Sequence, residues 1–403
     1  MKSEINMEDI IEFQQRYREN EENIKIEKKI KKYGIMRAST DKGRKSKFKF
    51  KFNIEIPPTK MHNQLDSHQC NIYAFLRVVK DTIRKNTDLN VDNLDLSANY
   101  ISFYDKLEKA NVLYNEFINS KNLSLEEINL KTNYYIGSFG TFHFCREIVN
   151  KYGLVTSNAM NEVNSTYNDS LTIELLRYKI KCDAMSLIDI KSAEEKLEKK
   201  KELMYEVFQF LSKVYGNPPS DFEFKGEIIT PLDFKNQYLK DKLEDYITVT
   251  SFQKEKLLNS YSFIPNIYLN DSDEVVRLSV EKQKEAVINQ LKDDISVWFS
   301  CEESTTLDYS DNILDAWLYD YNALLNIKNS SKNKKLLLDI INYDHAMCIT
   351  GALVEDNQVK QFKVENSFGK HGKYKGLLIM TNSFFENDVI TTVINKKYLE
   401  ENK

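Results

Sequence analysis

The sequence predicts an α+β protein. Apolar residues recur at helical spacing through most of the chain, and the last hundred residues break into short β-rich runs between Gly, Asn and charged turns. The 403 residues are 41% hydrophobic and 29% charged, enough for a sizeable core, which excludes wholesale disorder and a collagen-like fibre. At about 100–200 residues per domain, the length suits two or three domains or one large fold with insertions.

Residues 7–33 read as one polar helix with Ile10, Ile11, Phe13 and Tyr17 on a thin apolar face, an arm laid on another surface. KFKFKFNIEI at 47–56 alternates charged and apolar residues and predicts a strand that Pro57-Pro58 ends. From Cys70 the run CNIYAFLRVVKDTIRK is helical, with Tyr73, Phe75, Leu76, Val79 and Ile83 apolar. A second helix starts near Ser97 and carries Tyr100, Phe103, Tyr104 and Leu107, and a third spans 141–152 and stops at Gly153. These three form the core of a helical lobe.

Residues 192–215 form a helix opened by a Ser192/Glu195 capping box and closed by Gly216-Asn217-Pro218-Pro219, with Leu197, Met204, Phe208, Leu211 and Tyr215 at helical spacing. It reads as an inserted subdomain. Helix 280–292 leads into the strand VWFSC at 297–301, and HAMCITGALVED, QVKQFKVENS and KGLLIMTN supply later strands. The expected division is an arm and strand over 1–60, a helical lobe over 61–190, an inserted helical subdomain and linker over 191–295, and a β-rich lobe over 296–403. A cleft between two such lobes is a usual place for an active site.

Fifty-seven basic and 61 acidic residues leave a net charge of −4, which argues against a protein that coats nucleic acid. The one basic strip, Lys42 to Lys51, reads as an edge strand with solvated lysines rather than a phosphate-binding surface. No apolar run reaches about 18 residues, so no membrane span is expected. The charged N-terminus lacks a secretory h-region. Five scattered Cys, at 70, 145, 182, 301 and 348, form no metal-ligand spacing. A reduced, cytoplasmic setting with no metal and no cofactor follows as the expectation. Cys145, Cys182, Cys301 and Cys348 sit in apolar or strand contexts and read as packing.

Cys70 differs, because it opens a helix. The positive end of the helix dipole favours thiolate there. His345, in Tyr-Asp-His345-Ala-Met, can hold the proton and later deliver it to a leaving amine. Asn366, in Lys-Val-Glu-Asn366-Ser-Phe-Gly369, can orient that imidazole. Gln64, six residues before Cys70, can donate to a developing oxyanion beside the Cys70 backbone N–H. Any one of these residues alone reads more readily as packing. All four in this order point to thiol-based acyl transfer.

The segment Asn63-Gln64-Leu65-Asp66-Ser67-His68-Gln69-Cys70-Asn71-Ile72-Tyr73-Ala74 resembles the N-Q-x-x-S-G-R-C-W-x-F-A of papain-like cysteine peptidases of the bleomycin hydrolase and aminopeptidase C branch. Asp344 through Gly351 is similar to that branch's T-H-A-M-x-x-T-G, and Lys363 through Gly369 to its K-V-E-N-S-W-G, with Phe368 for Trp. LSANYISFYDKLEKAN, EIVNKYGLV, ITPLDFKNQYL, VWFSC and ILDAWLYDY also match in order, so the resemblance covers nearly the whole chain. It implies a papain-like two-lobe fold, with insertions filling the 275 positions from Cys70 to His345. It implies Cys70 as nucleophile, His345 as base and acid, Asn366 as orienting amide and Gln64 as oxyanion donor. It also implies peptide substrates and a homohexamer enclosing its active sites.

The chain departs from the branch at the cleft. Gly-Arg before the nucleophile is His68-Gln69, and the following Trp is Asn71. The Gly-Gly-Gln-Trp stretch reads Phe139-Gly140-Thr141-Phe142, where Phe139 replaces a glycine that docks substrate backbone. Asp344 and Phe368 complete the expected cleft. The branch's C-terminal tail, which lies in the cleft and counts residues from the substrate N-terminus, is not visible before Lys403. Altered specificity is expected, with endopeptidase action open to a cleft without that tail. The alternative is a catalytically silent relative that binds peptide or serves as a scaffold.

Overall fold

The computed structural model describes residues 4–120, 123–137, 140–252, 275–325, 332–338, 340–341 and 343–399. The helix opened by Cys70 runs Cys70–Asn86, and Asn71 through Ile83 are all buried. A helix enclosed on every side can hold its first residue in a fixed place. Helix Ala98–Asn119 packs beside it, with the Ser97 side chain accepting from the Tyr100 N–H. Helix Phe142–Tyr152 is capped by Thr141 and ended by Gly153 at φ 82°. A Cβ at Gly153 would stand 2.2 Å from the Pro231 carbonyl, so only glycine fits.

Helix Ala193–Tyr215 begins at Ser192, whose side chain accepts from the Glu195 N–H. Its buried face is Leu203, Val207, Leu211 and Tyr215, while Leu197 points to solvent. Those four side chains belong to the same apolar cluster as Phe75, Val79, Phe103 and Leu113.

Among the described residues the β part is a ten-stranded sheet. Its order is Val275–Arg277, Tyr246–Thr250, Val389–Asn395, Val297–Cys301, His345–Glu355, Gln358–Glu365, Leu377–Thr381, Ile313–Leu314 and Leu307–Asp308. Ile54–Glu55 adds to the His345 strand at Ala352 and Gly351. The period of two sorts this central strand's side chains. Ala346 and Cys348 join the helical cluster, and Met347 and Ile349 join a second cluster with Phe299, Phe362, Met380 and Phe385. His345 therefore begins a strand clamped from both faces.

Four expectations are corrected. The helix over 7–33 divides at Asn20 into Met7–Glu19 and Glu21–Tyr33, because the Asn20 side chain accepts from the N–H groups of Glu22 and Asn23 and caps the second helix. Neither piece buries a residue. The strand over 47–56 is only Ile54–Glu55. Upstream, the Gln361 amide donates to the carbonyls of Lys49 and Lys51 at 2.7 and 2.9 Å, taking the place of a sheet ladder. The basic strip is partly neutralised within the chain, with Arg44 on Asp315 and Lys45 on Asp308 and Asp311. Cys182 is exposed, since helix Ser170–Ile188 turns Leu176, Ile180 and Ala184 inward instead. Among the described residues no helix is long and apolar enough to cross a membrane.

One buried ionic network joins the helices to the sheet. Arg77, two turns past Cys70, donates from Nε to Glu365 at 3.1 Å and from Nη2 to the Pro57 carbonyl at 2.9 Å. Its Nη1 meets Asp81, whose Oδ2 accepts from the Ser296 N–H at 3.0 Å. Replacing Arg77 with Met leaves the partly buried Glu365 without this cation and the buried Asp81 with Arg84 alone. The expected loss is about 3–5 kcal/mol of unfolding free energy, read by chemical denaturation.

Candidate active site

Four segments converge on Cys70. The first is its own helix, where Cys70 takes the first position and its backbone N–H has no intrahelical acceptor. The second is the strand beginning at His345. The third is the turn after Glu365 that carries Asn366, Ser367 and Phe368. The fourth is the approach to the helix, Asn63 to Gln69. Approach and turn are tied together. The Gln64 N–H donates to the Ser367 carbonyl at 2.7 Å, and the Gly369 N–H donates to the His62 carbonyl at 2.8 Å. Gly369 sits at φ 68° against Asn63, which lets the turn close this tightly.

Cys70 is partly buried, and its thiol and the His345 ring share a side-chain hydrogen bond. His345 Nε2 lies 2.8 Å from Asn366 Oδ1. With that nitrogen donating to the amide, Nδ1 is left for the sulfur. The Phe368 ring stacks on the imidazole at 5.2 Å and 14°. Gln64 is buried. Its Oε1 accepts from the Ser367 hydroxyl, and one amide proton goes to the Ser67 carbonyl at 2.6 Å. Among the described residues the second amide proton is given no acceptor.

The charge around the ring is acidic. Burial opposes the imidazolium, but the Glu303 carboxylate and the Cys70 sulfur outweigh it, and the His345 pKa is pushed up to about 10. Glu303 Oε1 lies 3.9 Å from His345 Nε2. Burial raises the Glu303 carboxyl, His345 pulls it back, and Asp344 raises it further. Asp344 lies beside this pair and accepts from the N–H groups of Glu303 and Ser304 at 3.0 and 3.2 Å.

The remaining cleft residues divide. His68 stands two residues before Cys70, with its ring 42% exposed. Its Nδ1 lies 2.7 Å from Asp169 Oδ1, and that carboxylate holds the imidazole above its usual pKa. Gln69 and Asn71 are buried. The Asn71 amide points at Cys145 Sγ at 3.6 Å and lies against Gly140, where a Cβ would come within 2.2 Å of it. Asn71 thus occupies the floor of the helical lobe, and Gly140 leaves it room. Phe139 lies outside the described residues. Cys145, Cys301 and Cys348 are buried, and burial pushes each thiol up, away from thiolate. Among the described residues no group of three His, Cys, Asp or Glu could hold a metal ion.

Reading the sequence missed Glu303 and Ser367. Glu302-Glu303 directly after the apolar strand Val297–Cys301 was the available signal, since paired acids rarely follow a buried strand without a partner.

This thiol–imidazole–amide constellation, set between a helix start and a sheet, is that of a cysteine-type peptidase. The chain belongs to the peptidase C1-like family, whose model matches residues 4–403. It is 28% identical over 421 aligned positions to aminopeptidase C of Listeria innocua, covering 100% of this chain and 95% of the relative. It is 28% identical over 420 positions to aminopeptidase E of Lactobacillus helveticus, with the same coverage. The crystal structure of PepW from Lactobacillus rhamnosis superposes with a TM-score of 0.89 at 25% identity, covering 99% of this chain and 94% of that one.

Behind the nucleophile, the Lys80 ammonium donates to His62 Nε2 at 3.0 Å. Burial and then Lys80 depress His62 from 6.5 to about 4. The folded state therefore binds this proton more weakly than the unfolded chain. Its stability contribution is whole above pH 6.5 and is lost as pH falls toward 4. The melting temperature is expected to drop across that window, and His62→Gln to flatten part of the drop, in scans at half-unit pH steps.

Proposed function

We propose that this chain hydrolyses peptide bonds through a thioester on Cys70. The observation that carries the reading is the ordered contact Cys70–His345–Asn366, with Nε2 2.8 Å from the amide oxygen. In the first step the Cys70 thiolate attacks the scissile carbonyl carbon. The carbonyl oxygen becomes an oxyanion facing the Cys70 N–H and the second Gln64 amide proton. His345 gives its proton to the leaving amine as the C–N bond breaks. Water then attacks the thioester, His345 takes the proton from that water, and the acid product leaves with the thiol restored. Asn366 keeps the ring in the plane this requires.

The relatives' names support removal of residues from a peptide N-terminus. His68 supports a narrowed range. An imidazole paired with the Asp169 carboxylate stands where the resembling branch has glycine, beside the nucleophile. Substrate backbone must pass a side chain rather than bare main chain. The helices Met7–Glu19 and Glu21–Tyr33, with no buried residue and with Ile11, Phe13 and Tyr17 exposed, support an assembly of copies.

A mixed peptide library digested by wild type and by Cys70→Ala tests the reading by mass spectrometry. Ladders that lose one residue at a time in wild type, absent in Cys70→Ala, are expected. Internal cuts that depend on Cys70 would change the mode to endopeptidase. A library left intact by both proteins would overturn the reading in favour of peptide binding without turnover. His68→Gly is expected to raise kcat/KM for peptides with bulky residues at the scissile bond by about tenfold, the size of a small change in one pocket. Small-residue peptides should change little.

A further inference from the structure

The charge that faces the candidate general base comes from outside the three-residue constellation. Strand Val297–Cys301 pairs antiparallel with the His345 strand, Cys301 opposite His345. The chain then turns through Glu302 to Thr306, and the Asp344 carboxylate fastens this turn by accepting the N–H groups of Glu303 and Ser304. The turn aims the Glu303 side chain at the imidazole. Glu303 is 6% exposed. Oε1 lies 3.9 Å from His345 Nε2 and accepts from the Tyr309 hydroxyl at 3.4 Å. Oε2 is buried and has no hydrogen-bond partner among the described residues. A carboxylate desolvated this far persists only where a cation answers it. Among the described residues, the one ion pair of Glu303 is with His345. Among the described residues, the groups that act on the ring are the Cys70 sulfur and the neutral Asn366 amide, with Phe368 stacked on it, and those that act on Glu303 are Asp344, Glu302 and Tyr309. None of these is a cation that could compete.

We propose that Glu303 is a positioning residue that holds His345 as its cation, so that Cys70 and His345 persist as a thiolate–imidazolium pair well into alkaline solution. Asn366 fixes the direction of the ring but carries no charge. Glu303 adds the charge without displacing that amide, because it stands farther from Nε2 than the hydrogen-bond partner does. The arrangement has a chemical cost. A tightly held proton is delivered less readily to the leaving amine, so the gain in thiolate is set against a weaker acid. Burial works against both charges, and each is answered by the other: His345 lowers the Glu303 carboxyl and Glu303 raises the imidazole.

The proposal rests on Cys70 and His345 being the reacting pair, and its test reads that pair without a substrate. The rate of Cys70 alkylation by iodoacetamide is followed from pH 4 to 11 in wild type, Glu303→Gln and Glu303→Asp. Cys70→Ala subtracts labelling of exposed Cys182. In wild type the imidazolium-assisted plateau is expected to extend above pH 8. In Glu303→Gln its alkaline limb is expected to move down by about one to three pH units, the range for losing one opposite charge at this distance. Glu303→Asp keeps the charge and is expected to restore part of the shift. A limb that stays in place in a folded Glu303→Gln, checked by circular dichroism, would overturn the proposal. Should Glu303→Gln fail to fold, nitrogen-15 NMR of the wild-type imidazole decides. Imidazolium signals for His345 that persist above pH 8 support the proposal, and a midpoint near 6.5 overturns it. If the peptide library stays intact while the limb moves, the peptidase reading fails and Glu303 keeps its role. Cleavage with an unmoved limb removes Glu303 alone.

Discussion

Everything at the site depends on one buried guanidinium. Arg77 belongs to the helix that presents Cys70, and it binds Glu365, the residue immediately before Asn366. Through Asp81 the same network reaches Ser296 at the entry to the strand that ends beside His345. Nucleophile, base and orienting amide sit on three elements far apart in sequence, and a misplacement of about 1 Å between such groups is enough to cost activity. A charge network buried on both sides resists sliding, because any displacement leaves carboxylates unpaired in a low-dielectric interior. The hydrogen bonds from Gln64 and Gly369 to the facing segment then set the finer distance.

Electrostatics around the ring follow from the same geometry. A thiol peptidase with an amide as third member controls the orientation of its imidazole but not the imidazole's charge. Here Glu303 faces the ring and Phe368 stacks on it. Low solvent access strengthens both the hydrogen bond and the ion pair. The other four cysteines show the contrast. Cys145, Cys301 and Cys348 are buried, and burial outweighs any nearby cation and pushes their thiols up, while Cys182 is exposed on a helix surface, so none has both the access and the imidazole that Cys70 has.

Much of the fold was legible in the residues. The helices starting at Cys70, Ala98 and Phe142 announce themselves by apolar spacing and by Ser97, Thr141 and Gly153 at their ends. Strands Val297–Cys301, His345–Glu355, Gln358–Glu365 and Leu377–Thr381 stand out as short apolar runs. The alternation at 47–56 misled because a strand also needs a partner edge, and Gln361 occupies the carbonyls that a ladder would use. Asn20 was read as one polar residue in a helix, although its side chain can end one helix and cap the next. Strands Tyr246–Thr250 and Val389–Asn395 escaped notice, although Asn387-Asp388 marks the start of the second.

The residues alone determined the local elements and the identities at Gln64, Cys70, His345 and Asn366, because caps, helical period and motif order are short-range properties carried by each segment. Only the tertiary structure decided that Arg77 meets Glu365, that Ser367 holds Gln64, that His68 leans on Asp169, and that Glu303 comes to lie beside His345. Each of those contacts joins segments from about 40 to about 300 residues apart. Their formation depends on sheet register and on the packing of two apolar clusters, and a register shift of one residue turns every side chain to the opposite face. No local pattern encodes that choice, so the charge beside the imidazole became visible only when the strands were paired.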